Sequence, residues 1–347
     1  MSNTPFKAAA VQAAPAFLDL AAGVEKAIGL IKQAADEGAK LIAFPECWLP
    51  GYPFWAWLDS PIGSMKFVQQ HVANCMTADG PEARRITAAA AANDIWVVLG
   101  YSERCAGSLY IAQLLISDTG EIVAARRKLK ATHIERTIFG EGDGSDLKVH
   151  DTSLGKLGAL CCWEHLNPLN KYAMYAQNEQ IHIACWPSFS LYADQAYALG
   201  PVLNNAVSQV YAAEGQCFVV APCGVISPEM VELMCDTPEK HELLKAGGGH
   251  AMIFGPDGSP LNDPLPPDEE GLIYADLDLG LIPLAKSVGD PVGHYARPDV
   301  TRLLFNPAPN PAVQRFDAGQ LRDSDAAFVA ERGVTVSGDE DRLDDKP

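Results

Sequence analysis

The residues best suited to chemistry lie in segment 156–177, where an apolar run of strand length leads into the sequence CCWEH at residues 161–165. Asn167 and Pro168 then have the residue types of a helix N-cap and first helical position. A sharp turn from strand to helix presents a side chain at the sheet edge, close to backbone amides that stabilise a thiolate. The alternative is a buried structural cysteine, the commonest state of a free cysteine in such a strand.

A thiol nucleophile needs a base and a positive group, and the ends of two other predicted strands supply them. Glu46 follows the strand that ends in Phe44-Pro45. A carboxylate in an apolar rim has a raised pKa, which suits a general base, although a strand-end glutamate is commonly solvated. The run RRKLK at residues 126–130 also ends a strand. A buried lysine beside carboxylates would stabilise a developing anion, whereas such a run is more typical of a solvated surface.

The elements that position these residues alternate between strand and helix, which predicts a layered α/β protein. Strands are predicted at 6–11, 41–44, 95–99, 109–117, 121–125, 158–162, 181–186, 217–221, 251–254 and 272–276, and helices at 23–37, 168–177 and 204–214. The turn at 118–120 joins two strands as a hairpin, so the sheet is mixed. We expect one domain over residues 1–305 and an extended or disordered acidic tail over 306–347.

Composition excludes several classes of protein. The chain of 347 residues has a net charge of −18, so a surface built to bind nucleic acid or anionic lipid is not expected. No apolar run reaches the ~18–20 residues of a membrane span. The nine cysteines form no CxxC pair, and their number is odd. This usage predicts a reducing compartment, most simply the cytoplasm, and no disulfide framework.

Several motifs in order carry a resemblance to the nitrilase branch of the carbon-nitrogen hydrolase superfamily, and most of all to arylacetonitrilases. The matching segments are AVQAAPAFLD, FPE followed by LPGYPFWAWLDSP, RRKLKATHIERTIFGEGDG, GALCCWEHLNPL, WPSFS, GHAMIFGPDG and DPVGHYARPDV. The resemblance implies a four-layer α-β-β-α sandwich with mixed sheets.

The resemblance also assigns roles to four residues. It implies that Glu46 is the general base, Lys128 the cation, Cys162 the nucleophile and Glu135 a carboxylate that orients the site. Cys162 is preferred to its neighbour because it directly precedes Trp-Glu, and adjacent strand residues face opposite ways. Lys128 is preferred to Lys130 by the same motif alignment.

The implied reaction is nitrile hydrolysis. The thiolate attacks the nitrile carbon to give a covalent thioimidate, and two hydrolytic steps then release ammonia and a carboxylic acid. This route needs no metal and no organic cofactor. The resemblance further implies a phenylacetonitrile- or mandelonitrile-like substrate and a homo-oligomer in which dimers grow into spirals or filaments. The alternatives are an amidase, a carbamoylase or a cyanide dihydratase on the same site, or a catalytically silent homologue that acts in assembly or binding.

Aromatic residues near the proposed base and nucleophile are candidates for the substrate pocket. We expect Tyr52, Trp57, Trp163 and Trp186 to contact the substrate, although core or subunit-interface positions are an equal alternative for such rings. His165 could form a Cys-His pair or half of a zinc site with Cys162, but no second ligand pair has suitable spacing. A neutral histidine on the substrate side or behind the site is the favoured interpretation.

Overall fold

The computed structural model describes residues 4–192, 195–311, 313–317 and 320–323. Its strands, in chain order, are β1 (Phe6–Ala13), β2 (Ala39–Ala43), β3 (Trp96–Cys105), β4 (Ser108–Ile116), β5 (Ile122–Arg127), β6 (His150–Thr152), β7 (Gly155–Cys161), β8 (Ile181–Cys185), β9 (Phe218–Ala221), β10 (Cys223–Gly224), β11 (Met252–Phe254), β12 (Gly271–Leu277), β13 (Gln314–Asp317) and β14 (Gln320–Asp323).

The α-helices are α1 (Leu20–Asp36), α2 (Trp55–Leu58), α3 (Pro61–Asn74), α4 (Pro81–Ala92), α5 (Pro168–Tyr175), α6 (Pro201–Gly215), α7 (Pro228–Met234), α8 (Pro238–Leu243) and α9 (Ile282–Val288). Many of them begin in the same way, with a proline at the first helical turn. Proline fits there because its missing N–H would have no partner within the helix. Short 3₁₀ helices at His133–Thr137 and Cys162–Leu166 lie in the connections that carry two of the predicted catalytic residues.

Two mixed sheets form the centre of the protein. The first has the order β10-β1-β2-β3-β4-β5, and β12 pairs antiparallel with β1 on the side that β10 extends. The second has the order β11-β9-β8-β7-β6, with β7, β8 and β9 parallel. The β4–β5 connection is the predicted hairpin.

The alternation of side chains along β1 shows how the sheets are layered. Ala8 and Ala10 pack into the core between the sheets, together with Ala159 of β7, whereas Ala9 and Val11 pack in the core under α1 and α4. Residues of a strand that are two apart share a face, so one strand serves both cores. With α5 and α6 on the outer face of the second sheet, the order is α-β-β-α, and the predicted fold is confirmed.

Most predicted strands occur within a few residues of their expected positions, but several helices and two strands were not predicted. The helices α2, α3, α4, α7, α8 and α9 and the strands β6 and β10 fall in this group. Within the predicted tail, β13 and β14 pair with each other, and residues 312, 318–319 and 324–347 lie outside the described residues. Among the described residues, no helix combines the length and the apolar character needed to cross a membrane.

Candidate active site

A buried lysine between two carboxylates forms the centre of the candidate site. Lys128 Nζ lies 2.8 Å from Glu46 Oε1 and 2.9 Å from Glu135 Oε2. All three side chains are almost fully buried. Tyr52 donates from its hydroxyl to the other oxygen of Glu135 at 2.6 Å. The sequence-predicted base, cation and orienting carboxylate therefore lie together, although they are distant along the chain.

Strand ends bring these groups to one edge of the sheet. Glu46 follows β2, and Lys128 directly follows β5. The turn that carries Glu46 lies against Gly100 of β3, where a Cβ atom would come within 1.9 Å of the Pro45 carbonyl oxygen. Only glycine permits this approach. Lys130, the alternative cation, is exposed and pairs with Glu141 on the surface, so the preference for Lys128 agrees with its position.

Cys162 begins a 3₁₀ turn directly after β7 and has the left-handed φ of 47°. Such a conformation is strained for a non-glycine residue and is frequent at functional sites. Cys47 and His133, which neighbour the two carboxylates, also have positive φ values. Asn167 caps α5 with its side chain and Pro168 is the first helical residue, as predicted. The helix itself begins after the 3₁₀ turn that intervenes between it and Cys162.

Glu164 connects the end of β5, next to Lys128, to the end of β7, next to Cys162. Its Oε1 accepts from the backbone N–H of Leu129 at 2.9 Å, and its Oε2 accepts from that of Cys161 at 2.8 Å. Arg126 donates to both oxygens, at 2.8 and 2.9 Å. Sequence reasoning assigned no role to Glu164. Its place in the CCWEH motif, together with the arginine two residues before Lys128, was the available signal.

Burial governs the protonation of the site. Burial raises the pKa of Cys162 well above its ordinary value, with Glu46 adding to the effect and Lys128 opposing it, so the resting group is a thiol. Burial also raises the pKa of Glu46 to about 8, against the influence of Lys128. Burial alone would lower the pKa of Lys128, but Glu135 and Glu46 more than offset it, and the amine stays protonated. Because burial makes the Cys162 thiol reluctant to lose its proton, the thiol needs a nearby proton acceptor. The ionised carboxylate of Glu46 is the group suited to that task.

Glu46 has one oxygen free for that task. Its Oε1 contacts Lys128, whereas its buried Oε2 has no hydrogen-bond partner among the described residues. An unpartnered buried carboxylate oxygen is costly unless a substrate, a water or a transferred proton meets it.

A small cavity of about 40 Å³, here called the Cys162 cavity, opens beside the thiol. Of the predicted substrate-binding residues, Tyr52, Trp57, Trp163 and Trp186 line it. His165 does not. It is fully buried, and its ring stacks on the Trp186 indole from outside the cavity. The expectation that His165 lies on the substrate side is therefore wrong in position, because the 3₁₀ turn directs its ring towards the second sheet.

The family comparison agrees with the motifs. A model of the carbon-nitrogen hydrolase family matches residues 7–286. The chain belongs to the carbon-nitrogen hydrolase family. The predicted resemblance is confirmed, and the protein is a hydrolase of carbon–nitrogen bonds.

Two curated relatives cover nearly the whole hydrolase. A nitrilase of Pseudomonas syringae pv. syringae is 62% identical over 309 residues, 89% of this chain and 92% of the relative. An arylacetone-specific nitrilase of Alcaligenes faecalis is 50% identical over 347 residues, 94% of this chain and 98% of the relative. Among solved structures, the C. elegans NitFhit protein superposes with a TM-score of 0.70 at 18% identity, covering 93% of this chain and 72% of that one. That likeness concerns the fold.

Sequence reasoning missed several residues of the Cys162 cavity in this hydrolase. They come from loops and from α6, and they are Thr132, Pro187, Ser188, Leu191, Leu199 and Asn204. Asn204 accepts a hydrogen bond from the Trp163 indole N–H at 3.2 Å and so fixes the ring next to the nucleophile. No sequence pattern marks a single asparagine within an amphipathic helix as a pocket residue. Among the described residues, no group of three or more potential ligands could hold a metal ion.

Proposed function

We propose that this hydrolase is a nitrilase that converts an arylaliphatic nitrile, resembling phenylacetonitrile or mandelonitrile, to the carboxylic acid and ammonia. The observation that carries the proposal is the Lys128 ammonium held between Glu46 and Glu135 beside a cysteine that opens onto an aromatic cavity. The identity to nitrilases, one of them arylacetone-specific, supports the substrate class.

In the proposed mechanism, the free oxygen of Glu46 takes the proton of the Cys162 thiol while Sγ attacks the nitrile carbon. Negative charge develops on the nitrile nitrogen, and the Lys128 ammonium stabilises it. The proton that Glu46 took from the thiol is passed to that nitrogen, which gives a thioimidate and restores the Glu46 carboxylate. Glu135 keeps the lysine in place, and Tyr52 in turn fixes Glu135.

Water completes the reaction. Glu46 removes a proton from a water molecule, which adds to the thioimidate carbon, and ammonia leaves to give a thioester. A second water hydrolyses the thioester and regenerates the thiol. If the thiol departs from the first tetrahedral adduct before ammonia does, the product is an amide. The amount of amide therefore reports which bond of that adduct breaks.

Assembly, location and domain extent form part of the same proposal. Homo-oligomers, as dimers that extend into spirals or filaments, are supported by apolar side chains exposed on α5 and α6, namely Leu169, Val202 and Val210. Nine free cysteines support a reducing compartment such as the cytoplasm. We also propose one domain over residues 1–305 and an acidic tail over 306–347. Sedimentation of the full chain and of a chain truncated after residue 305 tests both assembly and tail.

The experiment that tests the function measures ammonia, acid and amide from phenylacetonitrile, benzonitrile, an aliphatic nitrile, cyanide and phenylacetamide. We expect the highest kcat/KM with phenylacetonitrile and ammonia in step with acid. Faster turnover of the amide would identify an amidase, and faster turnover of cyanide a cyanide dihydratase. The proposal would be contradicted if the wild-type protein were inactive on all of these substrates although it was folded and as stable as its Cys162→Ala variant.

A further inference from the structure

A buried chain of hydrogen bonds reaches the backbone of the nucleophile from the opposite side of the second sheet. His165 Nδ1 lies 2.6 Å from the carbonyl oxygen of Cys162, and its Nε2 lies 2.8 Å from Nε2 of His182. His182 Nδ1 lies 2.7 Å from Glu179 Oε1. Tyr211 donates from its hydroxyl to Glu179 Oε2 at 2.6 Å. All four side chains are buried, and the proposed mechanism uses none of them.

The second sheet leaves space for this chain of hydrogen bonds. Gly158 of β7 is the register partner of His182 on β8. A Cβ atom at Gly158 would come within 2.0 Å of Glu179 Oε1, so any other residue would displace the carboxyl group. The His182 ring also stacks on Tyr211 of α6, with centroids 3.8 Å apart. Packing from both the sheet and the helix therefore holds the chain in a single arrangement.

Counting protons gives the chain a direction. The contacts Glu179–His182, His182–His165 and His165–Cys162 carbonyl each need one proton. The carbonyl can only accept, so His165 must donate from Nδ1. Burial lowers the pKa of His165 and keeps its ring neutral, so its Nε2 accepts and His182 donates from Nε2. His182 Nδ1 then faces Glu179, and the third proton must lie between these two atoms. Two neutral histidines and a carboxylate would hold one proton too few and would bring two acceptors together.

We propose that Glu179, His182 and His165 act as positioning residues that hold the Cys162 carbonyl, and with it the left-handed turn that aims the thiol into the Cys162 cavity. This inference rests on the proposed role of Cys162 as nucleophile. A strained φ persists only where the surroundings determine it, and the His165 hydrogen bond restrains the peptide group that follows that φ angle.

The electrostatic environment agrees with a chain that carries the third proton without net charge. Burial raises the pKa of Glu179, against its hydrogen bond from Tyr211, and burial lowers the pKa values of His182 and His165. The other titratable or charged groups that face the Glu179–His182 pair or His165 are Tyr175, Cys217, Arg126 and Glu164. The arginine and Glu164 form an ion pair, so their effects largely offset each other.

Paired variants test the positioning role. An asparagine side chain places an N–H near the position of histidine Nδ1, so His165→Asn keeps the donor to the carbonyl and His165→Ala removes it. We expect kcat to fall about 10²-fold in the alanine variant, as for a misplaced reacting group, and to recover at least about tenfold in the asparagine variant. KM should change little in either. His71→Ala is the matched control, since His71 is also buried but makes no hydrogen bond among the described residues.

A second pair tests the proton count. In Glu179→Gln the amide N–H replaces the third proton permanently, whereas Glu179→Ala removes both the donor and the acceptor. We expect the glutamine variant to keep kcat within about threefold of wild type at pH 7, and its activity relative to wild type to rise at pH 9, where the natural carboxyl group loses its proton. An equal ratio at the two pH values would overturn the requirement for the third proton.

Alkylation separates this inference from the proposed function. The rate at which iodoacetamide labels Cys162, followed by mass spectrometry of the peptide, needs no nitrile turnover. His165→Ala should slow that labelling, and His165→Asn should restore it, even if the substrate class proves different. Melting temperatures report whether each variant folds. Equal kinetics and labelling in the folded asparagine and alanine variants, or a folded Glu179→Gln variant as impaired as Glu179→Ala at pH 7, would overturn the positioning role.

Discussion

The substitution Glu46→Gln separates proton transfer from the buried charge network. Glutamine has the size of glutamate, and its amide oxygen can still accept from Lys128, which now contacts Glu46 Oε1 at 2.8 Å. The amide NH₂ group takes the place of Oε2, the oxygen without a partner, and cannot accept a proton. The variant therefore loses the base and keeps most of the packing.

The expected loss follows from the task of that oxygen. General base catalysis contributes about 10²–10⁴-fold to a rate, or ~2.7–5.4 kcal/mol in the activation free energy. Burial raises the pKa of Cys162, so water alone is a poor acceptor for the thiol proton, and we expect a loss in kcat near the upper end of that range. KM should change by less than about tenfold, because Glu46 stabilises the transition state more than it binds the substrate.

The assay is ammonia release from phenylacetonitrile across the pH range. Because burial raises the pKa of Glu46 to about 8, the wild-type kcat/KM should fall with decreasing pH well above the ordinary pKa of a carboxylic acid. Below that pKa Glu46 is protonated and cannot accept the thiol proton. The Glu46→Gln variant should lack this acid limb and show a low residual rate that does not fall further as the pH decreases.

Glu179→Gln is the matched control, because it is the same substitution at another buried glutamate whose pKa burial raises. We expect it to retain activity and an acid limb. The reasoning would be refuted if Glu46→Gln kept more than about a tenth of the wild-type kcat, or if its acid limb persisted at the wild-type pH.

Three further predictions concern the nucleophile, the charge network and the aromatic wall. Cys162→Ala should lower kcat at least ~10³-fold, and inactivation by iodoacetamide should follow labelling of Cys162 and not of the more exposed Cys105; a Cys105→Ser variant that resists inactivation would count against this. Glu164→Ala leaves Arg126 buried without its counterion and should cost about 3–5 kcal/mol in the free energy of unfolding, measured with urea. Because Arg126 and backbone N–H groups lower the pKa of Glu164 despite its burial, this stabilisation should be present near neutral pH and be lost as the pH falls through that lowered pKa; equal stability of the variant at pH 7 would be inconsistent with it. Tyr52→Phe removes the donor to Glu135 and should lower kcat about tenfold with little change in KM, whereas a change in KM alone would assign Tyr52 to substrate binding only.

The sequence predicted the parts of the fold that depend on strand and helix periodicity. The strands around Ala8, Leu41 and Leu160 consist mostly of apolar residues, and the burial of those residues follows from their composition. The short helices α7 and α8 were not predicted, because each is shorter than two or three turns of periodic pattern and depends on capping by Ser227 and Thr237. Short helices of this kind are stabilised by their tertiary surroundings.

The identities of the candidate site residues were predictable from local sequence motifs. The directions in which side chains point were not predictable where they depend on the tertiary structure. Motif resemblance located Glu46, Lys128, Glu135 and Cys162, and their roles stay predictions. The direction of the His165 ring was not predictable, because a left-handed φ at Cys162 rotates the following turn and no residue type in CCWEH requires that value. A cavity wall assembled from loops and one helix likewise leaves no periodic signal.

The alternation of side chains at the end of β5 explains why three consecutive cations are buried there. Arg126 and Lys128 are two residues apart and therefore point the same way. Arg126 faces the second sheet, where it pairs with Glu164, and Lys128 faces the site, where it lies between Glu46 and Glu135. Arg127 points the other way and pairs with Glu103.

The pairing of Arg126 also fixes the site geometry. Because Glu164 binds the backbone on both sides of the gap, at Leu129 next to the lysine and at Cys161 next to the nucleophile, one carboxylate sets the spacing between the two sheet edges. Burying the two charges of the Arg126–Glu164 pair costs desolvation free energy. The presence of the pair is therefore better explained by this geometric role than by a net contribution to the free energy of folding. On this reasoning Glu164→Gln, whose amide oxygen can accept from only one of the two backbone N–H groups while its NH₂ group faces the other, should impair kcat more than it impairs folding.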